Sequence, residues 1–299
     1  MASNKISRRV SLAALVRALF GALQWRLLLL WSVLLLLPTA VLAIPLWKTL
    51  SGLLDHSVHA DAWARQVDAT MFGDTLRIIG DPMDAFGGGL LIGLVLTLLL
   101  ASWLNGMVIA SGRAGRTLGF GQLLHGGLTE YGRMFRLMLW SLLPFAIVIG
   151  GAQWIFDTAN DRVDAAVLES QADASQHMAF WVSGALFVLM HAVVESARAA
   201  FIADTGLRSA TRALWRGFKQ LLRRPFSTLF AYLLVSAIGA AAVLALGMAR
   251  IQVPAIGFGG FVAAFVLTQI IVAAIGWTRV ARLYALAEVS RSLTPSRLG

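Results

Sequence analysis

The chain contains no cysteine. Disulfide frameworks, thiol chemistry and cysteine-based metal sites are therefore excluded. Charge is scarce as well: 13% of the 299 residues are Asp, Glu, Lys or Arg, about half the share of a soluble domain. Apolar residues make up 58% and the mean hydropathy is +0.75. That composition belongs to a polytopic helical membrane protein. Strands of alternating apolar and polar residues, which a transmembrane barrel needs, are missing. So are the P-loop, the Gly-x-Gly-x-x-Gly turn and the His-Glu-x-x-His helix. His191 and Glu195 read His-x-x-x-Glu, the wrong order for a zincin, and Ser183-Gly184 lacks the flanking glycine of a nucleophile elbow.

What is present is a series of apolar runs. Six can cross a bilayer: about 27–46, 90–110, 137–156, 178–203, 226–248 and 255–277. The segments between them alternate in character. Residues 1–26, 111–136, 204–225 and 279–299 are basic; 48–86 and 157–177 are acidic, and 249–254 is a short turn. Counting Arg198 with the third basic segment, 20 of the 25 Lys and Arg fall on the basic side and 11 of the 15 acids on the other. The bias follows the positive-inside rule, which predicts a bacterial inner-membrane protein with both termini cytoplasmic. It also accounts for the net charge of +10 without a nucleic-acid partner. Two to three of the inner segments read as amphipathic helices, with Leu12, Leu15, Val16, Leu19 and Leu23 in the first. Three times the chain runs basic helix, span, outer loop, span, with units starting near Ser11, Leu118 and Arg208. The expected fold is thus all-α, one integral membrane domain of six spans, with three helix-plus-hairpin units as its candidate internal repeat.

The stretch His191–Pro225 carries the strongest candidates. His191, Glu195 and Arg198 are spaced to share one helix face. If the span ends at Asp204, Glu195 lies roughly 13 Å inside it, where an unpaired charge costs about 2.5–3.5 kcal/mol. One reading pairs Glu195 with a snorkelling Arg198; the other makes His191 and Glu195 a proton, ion or headgroup site. Beyond Asp204, an apolar face of Leu207, Ala210, Leu214, Phe218 and Leu221 opposes Arg208, Arg212, Arg216, Lys219, Arg223 and Arg224. These cations form the expected surface for anionic lipid or a protein partner.

The same stretch resembles a pattern found in bacterial six-span inner-membrane proteins of a family with no known activity. The matching residues are Glu195-Ser-Ala197-Arg198, Asp204, Arg208-Ser-Ala210 and Arg223-Arg224-Pro225. The family pattern usually has Asp at the position of Glu195. The resemblance covers about 35 residues and implies topology, not chemistry. Glu195-Ser-Ala-Arg198 also matches the start of a phospholipid alcohol-transferase motif, but the later Gly and Asp do not follow. The six-span layout is similar to an ABC permease, without its Glu-Ala-Ala coupling motif.

Asp55, His56, His59 and Asp61 have a third-ligand problem as a metal site and fit a solvated helix face better. No cofactor is expected. The expected function is a non-enzymatic membrane subunit engaging anionic headgroups or a cytosolic or membrane protein, in an envelope transport system. The alternative is a transporter or channel using His191 and Glu195; an intramembrane enzyme ranks third.

Overall fold

The structure is a computed structural model and describes residues 12–54, 73, 83–166, 168–254 and 256–293. Among them are eight helices: α1 Leu12–Gly21, α2 Trp25–Leu54, α3 Met83–Ala114, α4 Phe120–Asp164, α5 Glu169–Ala203, α6 Ala210–Arg223, α7 Pro225–Ile251 and α8 Gly257–Arg291. No strand occurs among the described residues. Helices α2, α3, α4, α5, α7 and α8 are each long and apolar enough to cross a membrane, so the chain is an all-α, multi-pass membrane protein.

Two helices join an apolar run to a basic segment. The basic segment 111–136 and the third span do not form separate pieces. Helix α4 runs unbroken for 45 residues, about 68 Å at the α-helical rise, and so extends beyond a hydrocarbon core of about 30 Å. Its buried stripe Leu123, Gly127, Glu130, Met134, Leu137, Ser141 and Pro144 repeats every three to four residues across both parts. Likewise 279–299 is not simply a tail. Helix α8 continues to Arg291, and Val280, Ala281, Leu283, Leu286 and Val289 are buried. The apolar spacing carries the helix past Arg279 and Arg282 because both arginines find partners inside the bundle.

The core sits at one end. Its residues come from Leu15 to Trp31, Leu104 to Ile109, Leu118 to Leu137, Ala192 to Ala213, Ala231 to Val235 and Val280 to Val289. Those are the helix ends nearest the basic segments. At the acidic end, Leu90, Leu91, Trp154, Trp181, Leu244 and Phe258 all stand exposed. An apolar surface of that kind suits a lipid environment.

Small residues set the close contacts. A Cβ on Gly239 would lie 2.1 Å from Thr278 Oγ1, and one on Gly93 3.0 Å from Leu42 Cγ. The basic segments take similar seats. The start of α4 crosses α3 where Gly127 meets Gly106, and α6 crosses α5 where Gly217 meets Val193 and Ala197. Helix α1 packs on α8, where Trp277 Nε1 donates to Leu19 O at 2.9 Å. In α1, Leu15 and Ala18 are buried, whereas Val16 and Phe20 face outward.

The packed face of α6 overlaps the expected one and is shifted toward its small residues: Leu207 and Ala210 are buried and Leu214 and Leu221 half-buried. Ala210, Ala213, Gly217 and Gln220 are buried, while Trp215, Phe218 and Leu222 are exposed. A Cβ on Gly217 would come within 2.4 Å of Val193 O and 2.7 Å of Ala197 N. Backbone approach of that closeness selects the small-residue face over the bulkier one. Ser209 caps the helix, its Oγ accepting from Arg212 N at 3.3 Å. Asp204 ends α5 as expected.

Candidate functional site

Between residues 192 and 202, α5 is buried on nearly every side. Glu195 is fully buried. Arg198, one turn on, donates through Nη1 to Glu195 Oε1. His191, one turn back, has Nε2 4.0 Å from the same oxygen. From α8, Arg282 Nε stands 3.6 Å from Glu195 Oε2. The guanidinium of Arg282 lies 5.1 Å from the ring centre of Tyr232 on α7, and its Nη1 donates to Ser236 Oγ at 3.2 Å. Arg279 sits 5.6 Å from the ring centre of Trp31 on α2. Tyr232 Oη and His191 Nδ1 are hydrogen-bonded at 2.8 Å, and Phe187 stacks on the imidazole at 5.5 Å.

The expected trio of His191, Glu195 and Arg198 thus lies together, but within a larger group. Three arginines surround one carboxylate. Glu195 Oε2, Arg279 Nε and Arg282 Nε are buried without a hydrogen-bond partner among the described residues. Such atoms are expensive to leave unpaired. Arg198 does not reach outward as snorkelling requires; its side chain is turned in on Glu195 and largely buried.

A second ion network was not visible in the sequence. Arg113 at the end of α3 donates through Nη1 to Glu130 Oε1 at 2.5 Å and through Nε to Phe201 O at 2.7 Å. Arg133 holds the same carboxylate at 2.8 Å. Phe201 O is one of the last four carbonyls of α5, which lack intrahelical donors, so Arg113 caps that helix and complements its dipole.

On α6, Arg212, Arg216, Lys219 and Arg223 are exposed, as is Arg208 just before its cap. Arg224 departs from this set: it is half-buried and donates to Ser292 Oγ at 3.1 Å. Arg216 is held by Asp204 Oδ2 at 2.6 Å. That bond, with the Gly206 N–H donating to Asp204 Oδ1, keeps the Asp204 carboxyl below its ordinary value. Beside α6 an apolar groove of about 350 Å³ is bordered by Trp140, Pro144, Ile147, Met190, Leu214 and Phe218.

Among the described residues no group of three or more His, Asp or Glu is placed to hold a metal. Asp55, His56, His59 and Asp61 lie outside the described residues. Arg279 and Arg282 were the site residues the sequence reading passed over. Their i, i+3 spacing within an apolar periodic run was the signal, masked by their place after the last span. No family model, curated protein or solved structure matches the chain.

Proposed function

We propose that the chain is a non-enzymatic bacterial inner-membrane protein whose basic, cytoplasmic end engages anionic phospholipid. The observation that carries this reading is the seating of α6. Its small face is spent on α5, and four cations, Arg212, Arg216, Lys219 and Arg223, are turned outward with Trp215, Phe218 and Leu222. A helix with cations and large apolar side chains together on its free face suits the headgroup boundary, where each basic residue contributes about 1 kcal/mol. The apolar groove beside it has the chemistry of an acyl-chain seat. The skew of Lys and Arg toward this end supports its cytoplasmic placement. Engagement of a protein partner through the same face, within an envelope transport system, is compatible with this reading.

The test is the lipid that copurifies with the intact protein from native membrane. Wild-type protein is expected to retain anionic over zwitterionic lipid severalfold relative to the bulk. Changing Arg212, Lys219 and Arg223 to Glu together should abolish that enrichment without loss of folded yield, because all three are exposed and Arg216–Asp204 is left intact. Equal enrichment in both proteins would overturn the proposal.

A second reading has one observation in its favour. The Glu195 cluster buries three polar atoms that make no hydrogen bond among the described residues, and buried ionisable groups of this kind line ion pathways in membranes. A transporter using His191 and Glu195 would require Glu195 for flux and not for folding.

A further inference from the structure

Between α1, the end of α3 and the end of α8 lies a cavity of about 410 Å³, a size usual for small-molecule sites. Helix α6 contributes nothing to its lining, so it is separate from the surface discussed above. Its floor is a polar chain. Ser111 Oγ donates to Gln24 Oε1 at 2.5 Å, and Gln24 Nε2 donates to Tyr284 Oη at 3.4 Å. At Gly112 the wall is bare backbone, since a Cβ there would lie 2.9 Å from both Tyr284 and Ile202. Gly115, with φ +62°, turns the chain into the loop that brings Arg116 and Thr117 to the rim.

The charge around this space does not balance. Arg17, Arg116 and Arg291 line it, against the single carboxylate of Glu288. Arg291 takes that carboxylate at 2.5 Å. Arg17 and Arg116 pair with no carboxylate among the described residues. Two guanidinium groups with no carboxylate partner among the described residues, beside a polar floor, recognise an oxyanion, and their planar forks match phosphate in particular. Ala14, Ala18 and Ala287 leave room for a small neutral remainder. We propose that this cavity binds a phosphate monoester, with Arg17 and Arg116 holding the phosphate. The ester has two possible sources, a soluble metabolite or the headgroup of an inner-leaflet lipid.

Because the chain has no cysteine, Thr117→Cys places one thiol at the rim of the site. The full chain in phosphatidylcholine nanodiscs is labelled with a maleimide, and the rate is read with and without each probe. Glycerol 3-phosphate at ten times its half-protecting concentration should slow labelling about tenfold, whereas sodium chloride of equal ionic strength should not. Nanodiscs containing phosphatidic acid should protect without any soluble probe if the source is lipid. Protection by either probe should vanish when Arg17 and Arg116 are both changed to Gln. Should that chain fail to fold, the Arg17→Lys, Arg116→Lys pair keeps the charge, loses the fork and should weaken protection severalfold. Labelling indifferent to both probes, protection by chloride alone, or protection unchanged in the substituted chains would each overturn the proposal.

Discussion

Glu195 has no contact with solvent, and Arg198 and Arg282 both reach its carboxylate. Removing one member of a buried ion group leaves uncompensated charge and costs about 3–5 kcal/mol, far more than removing a pair. Glu195→Gln leaves three arginines facing one another, so its detergent-extracted monodisperse yield should fall sharply. Arg198→Gln should be milder, because Arg282 still faces the carboxylate, and adding it to Glu195→Gln should restore part of the yield. Normal yield in all three proteins would end the structural account and favour a transport role for His191 and Glu195. The pairing of Glu195 with Arg198 was legible in the sequence because it is local, one turn apart on one helix. Arg282, Arg279 and Tyr232 were not, since only the packing of α7 and α8 against α5 brings them there. Arg113 and Glu130 escaped for the same reason: they stand 17 residues apart, on α3 and α4, and only the packing of those helices joins them.

At the scale of elements, α6 shows why spacing alone misjudges a face. Amphipathic periodicity ranks Phe218 and Leu221 above Gly217, but close helix contact favours residues with the least side chain. The existence of the helix and its Arg224–Pro225 stop were readable; the shift of its packed face toward Ala213, Gly217 and Gln220 was not. The apolar lengths of the six long helices were readable too, whereas the fusion of α4 across a basic segment was hidden by the composition change at Arg136. Gly217→Val tests the seat of α6. The added side chain meets the Val193 carbonyl and the Ala197 backbone, neither of which can move cheaply. Overpacking of this kind costs about 1–3 kcal/mol, and the thermal midpoint of the full chain in detergent should drop accordingly. Gly132→Ala is the control: nothing lies within 4 Å of that position, and the gain in helix propensity should leave the midpoint equal or higher. Equal midpoints for Gly217→Val and wild type would remove backbone contact as the reason α6 sits where it does.

Over the whole molecule, charge and packing are polarised together: the basic end holds the core, and the other end shows apolar side chains outward. Reporter fusions at Ala166 and Gly299 should read outside and inside respectively, as the placement of Lys and Arg requires. An external Gly299 would refute the six-span threading in its proposed orientation. The contact of α1 with α8 has a consequence in time. Leu19 and the Trp277 that donates to it are 258 residues apart in the chain. At ordinary rates of synthesis that distance takes roughly 10–50 s to translate. For that interval α1 has been made and the helix that seats it has not. Its buried side, Leu15 and Ala18, must wait on the membrane surface, so the bundle closes only when the last span has been inserted.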